Sequence, residues 1–341
     1  MKVWSYRLLS LLLILIVFGC DSKREAIGQD NKIVIVVPRP QIDAIKSALQ
    51  PVFPDTMFGP QPEPDYKMEF VTTDDFNRIS THVNVLVVGL GLDDSNPGNQ
   101  LVKQLLPARH YQESKQGGDA IFLTFDQYAK DQIFMIISAK NENHLRIELA
   151  KQKKWLKSTF DDLFTRRQAV FLYDRLSQED IEQHLFEDYG WGIKVPWGYT
   201  VVKDAPDSNF FWMGRERPYR WISVHWEAGL QVSSADSAIV SLKSYGEELY
   251  GYVRFSDHKL KVEQVDFNSW TAWKLSGVWE RIDEAQGGPF RHYIFYDGIT
   301  DRTYQINLTV FFPANVKIIV MRQLDVVARS FFTELANNGE G

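Results

Sequence analysis

The chain holds a single cysteine, Cys20, among 341 residues. With no second thiol it can form no internal disulfide, so its fold must be held by an ordinary core. Apolar runs of membrane-spanning length are missing as well. The longest, Leu8 to Phe18, is far short of the about 20 residues that a helix needs to cross a bilayer. Basic charge is not in excess: 38 Lys and Arg stand against 44 Asp and Glu, a formal net charge of −6. That balance excludes nucleic acid or an anionic membrane face as the main partner. The seven histidines, at positions 82, 110, 144, 184, 225, 258 and 292, form no H-x-H, H-x₃-H or H-E-x-x-H pair, so neither metal nor cofactor is expected. Gly89-Leu90-Gly91 lacks the third glycine of a dinucleotide loop and puts Asp94 where a pyrophosphate would approach, which makes it a surface turn. Ser256-Asp257-His258-Lys259 reads as a polar turn rather than a Ser–Lys pair.

What is present begins with a leader. Lys2 and Arg7 form a cationic start, Leu8 to Val17 an apolar core, and Gly19 is the small residue a signal peptidase needs before its cut. Residues 1–19 resemble a bacterial lipoprotein signal peptide, after which Cys20 becomes the new N-terminus and carries lipid on its sulfur. Three acyl chains, palmitate among them, would hold it to a membrane, each buried CH₂ contributing about 0.8 kcal/mol. A leader cleaved without lipid is the other reading, because Val17 and Phe18 are not the commonest residues there. The unpaired thiol favours the thioether. The expectation is a Gram-negative cell-envelope lipoprotein, attached to the inner or the outer membrane through Cys20. Residues 20–32, polar and without periodicity, read as the lipidated cysteine and a flexible tether.

Folded structure is expected from Ile33. Ile33 to Val37 is a β-branched strand, and Ile42, Ile45 and Leu49 mark a helix. Strands at 66–71 and 83–90, a helix near 100–106 and strands near 120–125 and 133–138 follow. From 143 to 171 the period is helical, with Leu145, Leu149, Leu156, Phe160 and Leu163 on one face. Lys151, Lys153, Lys154 and Lys157 mark a solvated face. The second half gives a helix at 178–186, strands at 199–203, 210–213 and 219–226, a helix at 238–250, strands at 293–296 and 304–312, and a helix at 317–335. The order proline, strand, phenylalanine (Phe76, Phe210), strand recurs at roughly 135 residues, which suggests internal duplication, although loosely aligned α/β units look alike. The expected fold is α+β: two similar halves, 33–172 and 173–338, each a mixed sheet flanked by helices and joined by a long helix.

Two stretches carry candidate site residues. In the first, Trp212, Tyr219 and Trp221 interleave with Arg215, Arg217 and Arg220. One face of the 219–226 strand presents Tyr219, Trp221, Ser223 and His225; left uncovered it suits a sugar ring, a peptide or a partner protein, and covered by a helix it is core. The second joins Gly277-Val278-Trp279-Glu280 to Gly287-Gly288-Pro289-Phe290-Arg291, where paired glycines before proline specify an unusual turn. Trp212, Arg215, Arg217, Tyr219, Trp221, His225, Glu280 and Arg291 are therefore the candidate ligand or partner surface. Two functions fit: a non-enzymatic binding or assembly module with an envelope protein or glycan as partner, or a hydrolase of an envelope polymer using Glu280 or His225 as acid–base.

These segments also carry a family resemblance. Pro60-Gln61-Pro62-Glu63-Pro64, Phe210-Phe211-Trp212, Gly277-Val278-Trp279-Glu280, Gly287-Gly288-Pro289-Phe290 and Met321-Arg322-Gln323-Leu324 are similar, in that order, to the domain of unknown function 4837 family of bacterial envelope lipoproteins. They span nearly all of the mature chain. The resemblance implies a lipidated envelope protein and supplies no activity, so it assigns no catalytic residue.

Overall fold

A computed structural model describes residues 23–59, 61–174 and 177–333. The leader and Cys20 lie outside them. The chain divides into two compact units: one of Met68–Glu148 with the chain up to Ala44, the other of Ile45–Lys67 with the chain from Leu149.

The first unit is built on β1 (Lys32–Val36), β2 (Lys67–Val71), β3 (Asn84–Leu90), β4 (Ile121–Phe125) and β5 (Ile133–Ala139), in the sheet order β2-β1-β3-β5-β4. β1 runs parallel to β3 and β3 to β5, whereas β4 is antiparallel to β5. Every residue of β3 and β5 is buried. Continuous apolar runs such as Ile33 to Val37 are what a parallel strand covered on both faces requires. Helices α1 (Pro97–Leu105) and α2 (Ala108–Gln116) lie between β3 and β4 in the chain. Asn96 caps α1 through backbone N–H groups of Gly98 and Asn99, with Pro97 at its first position.

The stretch read as a tether differs from expectation. From Lys23 onward it is bonded to this unit: Lys130 N–H donates to Arg24 C=O, Ala26 N–H to Lys130 C=O, and Val83 N–H to Ile27 C=O. Backbone pairing needs no side-chain period, which is why a polar, aperiodic segment could take it up.

Helix α3 (Glu142–Tyr173) is the long helix joining the halves. Leu145, Leu149, Leu156, Phe160 and Leu163 are all buried, and Lys151, Lys153 and Lys154 are exposed. Lys157 departs from that solvated face and pairs with Asp55 and Asp161.

The second unit carries α4 (Glu179–Tyr189), β6 (Thr200–Ala205), β7 (Phe210–Arg215), β8 (Tyr219–Ala228), α5 (Ala235–Ser244) running into a π-helical turn (Tyr245–Tyr250), β9 (Val253–Phe255), β10 (Lys261–Phe267), β11 (Trp270–Arg281), β12 (Gly287–Asp297), β13 (Arg302–Phe311) and α6 (Ile318–Ala328). The sheet order is β9-β11-β12-β13-β8-β7-β6, with β10 also on β11. All these pairings are antiparallel. On one face Met213, Ile222, Val224, Tyr293, Ile306 and Leu308 pack with Met321, Leu324 and Val327 of α6. On the other, Phe210, Leu275, Trp279, Phe290 and Ile294 pack with Leu242, Tyr245 and Tyr250.

Both halves thus have a sheet flanked by helices, but they are not copies of one topology. The first sheet is mixed and the second antiparallel throughout, so the recurring proline-strand-phenylalanine order is not a duplication of one fold. The C-terminal helix ends at Ala328 rather than Leu335. Phe331 instead stacks on Trp191, with centroids 5.6 Å apart, and Phe332–Thr333 pair with Trp191–Gly192. Tertiary packing here outweighs helical period. Gly287-Gly288, expected in a turn, opens β12. A Cβ on Gly288 would stand 2.0 Å from the Val310 carbonyl oxygen, so the glycine serves close strand approach.

Candidate functional site

A cavity of about 740 Å³ in the second unit opens over β10, β11 and β12. Strand alternation builds its floor. Lys261 lies opposite Ser276 and Ser276 opposite Arg291; two residues along, Glu263 lies opposite Lys274 and Lys274 opposite Tyr293. Because alternate residues share a face, these two rows across three strands point the same way. Asp55 to Phe58, the α3 residues Lys157 and Asp161, and the α6 residues Arg322, Asp325 and Arg329 wall the cavity.

Charge in this cleft is dense and mutually satisfied. Glu263 is 2.7 Å from Lys261 and 3.1 Å from Lys274. Lys157 bridges Asp55 at 3.0 Å and Asp161 at 2.6 Å, and Asp161 also accepts from Arg322 at 2.9 Å. The Arg322 guanidinium lies over the Phe164 ring, 3.5 Å from its centroid, and bonds to Tyr66 Oη. Arg291 pairs with Asp325, whose other oxygen accepts from Tyr293 Oη at 2.8 Å. Arg329 is exposed and donates only to the Asp266 carbonyl among the described residues.

These pairings fix protonation. Burial works against the Asp55 carboxylate, but the hydrogen bond and charge of Lys157 outweigh it and hold its pKa low. Burial likewise opposes the Glu263 carboxylate, and Lys261 and Lys274 overcome it. Lys157 is raised, since Asp161 and Asp55 exceed its desolvation. Each of these groups is therefore pushed away from neutrality rather than toward it.

The expected site residues do not gather here. Of the eight, Arg291 alone lines the cleft. Glu280 sits at the β11 edge, paired with Arg254 at 2.8 Å. His225 Nδ1 is 2.9 Å from the Asn209 carbonyl and its Nε2 is 3.6 Å from Glu227. Arg215 lies over Trp197, 5.8 Å from the ring centroid, while Arg217 is exposed at a cis bond to Pro218. Tyr219, 40% exposed, stacks on Trp221 with centroids 5.7 Å apart. Trp221 meets Trp279 edge-on, and Trp212 meets Tyr250 in the same way. The face holding Ser223 is mostly core: Ser223 Oγ bonds to the hydroxyls of Tyr245 and Tyr250 on the covering helix.

Sequence reading missed β10 and β11, and with them Lys261, Glu263 and Lys274. The usable signal was the alternation Lys261, Glu263, Val265, which a charged inner face disguises as surface. Lys115 in the first unit was also missed. Its ammonium donates to the Gly89 and Ala139 carbonyls and to Asn99 Oδ1, and burial lowers its pKa to about 8. Among the described residues, no group of three or more His, Cys, Asp or Glu is placed to hold a metal, and no helix is long and apolar enough to cross a membrane.

By architecture this is a two-domain α+β chain. Its second half, residues 178–330, matches the family described as Domain of unknown function (DUF4837). Residues 26–171 match a different family, Domain of unknown function (DUF8532). The first resemblance is thus confined to the second half, and the Pro60–Pro64 segment falls in the other family's range. No curated protein matches the chain. Among solved structures it is similar to a mutant of the protein Mog1 and to the Saccharomyces cerevisiae Ran-binding protein Mog1p, each with 16% identity, TM-score 0.31, and 42% of this chain and 90% of that one covered. A Bacteroides thetaiotaomicron VPI-5482 protein matches with 11% identity and TM-score 0.26, covering 44% of this chain and 47% of its own.

Proposed function

We propose that this chain is an envelope lipoprotein, anchored through Cys20, whose second unit is a non-enzymatic binding module, and that its ligand lies in the cleft over β10 to β12. The observation that carries the reading is the protonation of the cleft. A general acid or base works best with a pKa near the operating pH, yet Asp55 and Glu263 are held below the ordinary carboxylate range and Lys157 above the ordinary lysine range. Fixed, paired charges of both signs suit recognition of a polar ligand that carries both signs itself, such as a peptide-bearing polymer or a partner protein of the envelope. The hydrolase reading takes Glu280 or His225 as its acid–base group. Glu280 is engaged by Arg254 and His225 by Asn209, and only Arg291 of the candidate set reaches the cleft.

Crosslinking in intact membranes followed by pull-down tests this. A consistent envelope protein or glycan should be recovered with the wild type and reduced at least about tenfold by Lys274→Glu in the cleft floor or Arg329→Glu in its wall. Recovery that both variants leave unchanged would remove the cleft from the account. Cleavage of cell-wall or glycan substrates, lost on Glu280→Ala or His225→Ala, would replace binding with hydrolysis.

A further inference from the structure

On the sheet face opposite the cleft, a hollow of about 510 Å³ lies over β10, β11 and β12. Strand alternation builds this floor as it builds the other. Gln264 lies opposite Trp273 and Trp273 opposite Ile294. Each is one residue along its strand from the Glu263, Lys274 and Tyr293 row of the cleft, and so points to the other side of the sheet. Thr271, two residues before Trp273, and Tyr296, two after Ile294, extend the floor. Leu230, Val232 and Ser233, in the connection from β8 to α5, form one wall.

The two faces differ in charge. Lysines, arginines and carboxylates line the cleft, whereas none of the described residues lining the hollow is charged, and Asp266, opposite Thr271, lies outside it. An ionic ligand would lose water there with no counter-charge to replace it, which selects against phosphates, carboxylates and charged peptides. What the hollow offers is neutral. Gln264, Thr271, Ser233 and Ser269 are exposed, and their side chains make no hydrogen bond to any described residue, so one amide and three hydroxyls remain for a ligand. Trp273 is half-buried and touches no other ring among the described residues, unlike Trp221 and Trp279, which meet each other. Leu230, 61% exposed, adds an apolar side.

That combination matches a sugar ring. A pyranose carries hydroxyls around its rim, each able to donate and accept, and a face of C–H groups whose partial positive charge suits the electron-rich face of an indole. The volume lies within the roughly 300–1,000 Å³ of small-ligand sites. An extended peptide would instead use the outer edge of β10, which pairs only with β11 among the described strands, because backbone groups bond to a strand rather than to scattered hydroxyls.

We propose that this hollow is a binding site for a neutral saccharide, one ring lying against Trp273 with its hydroxyls bonded to Gln264, Thr271 and Ser233. The site is separate from the charged cleft and stands or falls independently of it.

Ligand-observed nuclear magnetic resonance on the full-length chain, in a zwitterionic detergent that contains no sugar, tests the assignment. The probes are maltotriose and N,N′-diacetylchitobiose, with acetylated trialanine amide as the peptide arm. At least one sugar should bind saturably, with saturation transferred most strongly to its ring C–H protons. Trp273→Leu, which keeps apolar bulk but removes the flat ring, should weaken binding at least about tenfold, and Gln264→Ala about threefold. Should Trp273→Leu lose the near-ultraviolet circular dichroism of the folded chain, Gln264→Ala combined with Thr271→Ala, both at exposed positions, decides by the same criterion. No saturable binding of either sugar at tens of millimolar, binding of the peptide in place of the sugars, or equal binding by wild type and variant would each overturn the proposal.

Discussion

His292 shows what a single buried group does to this fold. It is fully buried in β12, with Asn307 Nδ2 3.0 Å from its Nδ1 and its Nε2 3.1 Å from Gln305 Oε1. Burial drives its pKa from near 6.5 down to about 3. The unfolded chain therefore takes up a proton below pH 6.5 that the folded chain refuses until near pH 3. Its contribution to stability is complete above 6.5 and is lost as pH falls through that window, with a slope of up to about 1.4 kcal/mol per pH unit. Replacing it with a residue that cannot titrate, His292→Gln, should shrink the drop in urea unfolding free energy between pH 7 and pH 5. If wild type and variant lose stability in parallel, His292 is not the source. The sequence marked His292 only by failing to find it a partner histidine. Its polar neighbours arrive from the adjacent strand β13, which residue spacing along one strand cannot reveal.

At the scale of elements, strand contacts depend on glycines whose role the sequence suggested only in part. Gly288 faces the Val310 carbonyl oxygen, and Gly277 faces the edge of the Phe290 ring, where a Cβ would be 3.1 Å from the nearest atom. A carbonyl in a sheet cannot yield, whereas a ring edge can shift by a few tenths of an ångström. Gly288→Ala should thus destabilise the second unit by several kcal/mol, on the order of 3, and Gly277→Ala by about 1. Thermal unfolding of the two variants gives the ranking, and a Gly277 variant as unstable as the Gly288 one would refute the steric account. Strongly periodic elements were legible: α3, β3, β5 and β13 lie where apolar spacing placed them. β10 and β11 were not, because charge on their cleft-facing residues hides the alternation.

The whole molecule raises the question of where folded structure begins. Cys20→Ala should abolish lipid attachment and lipoprotein-specific cleavage, and equal incorporation of an alkyne fatty acid into wild type and variant would show the anchor to be misplaced. A chain starting at Asp21 should fold like the full one. A chain starting at Ile33 loses the backbone bonds that tie Arg24, Ala26 and Ile27 to Lys130, Thr81 and Val83. It should be less stable by about 1–3 kcal/mol in denaturant unfolding, and identical midpoints would return the segment to the status of a tether.

Composition and local pattern were sufficient for the two-part α+β organisation of the chain and its long central helix, since both follow from residue type and from periods of two or 3.6 along one segment. Only tertiary structure decided that the second sheet is antiparallel throughout, that Lys261, Lys274 and Arg291 share a floor with charges from α3 and α6, and that Trp212 and Trp221 pack edge-on against Tyr250 and Trp279 instead of lining an open face. Those outcomes depend on register between strands distant in the chain and on which helix covers which face, and neither is written in the spacing of residues within a single element.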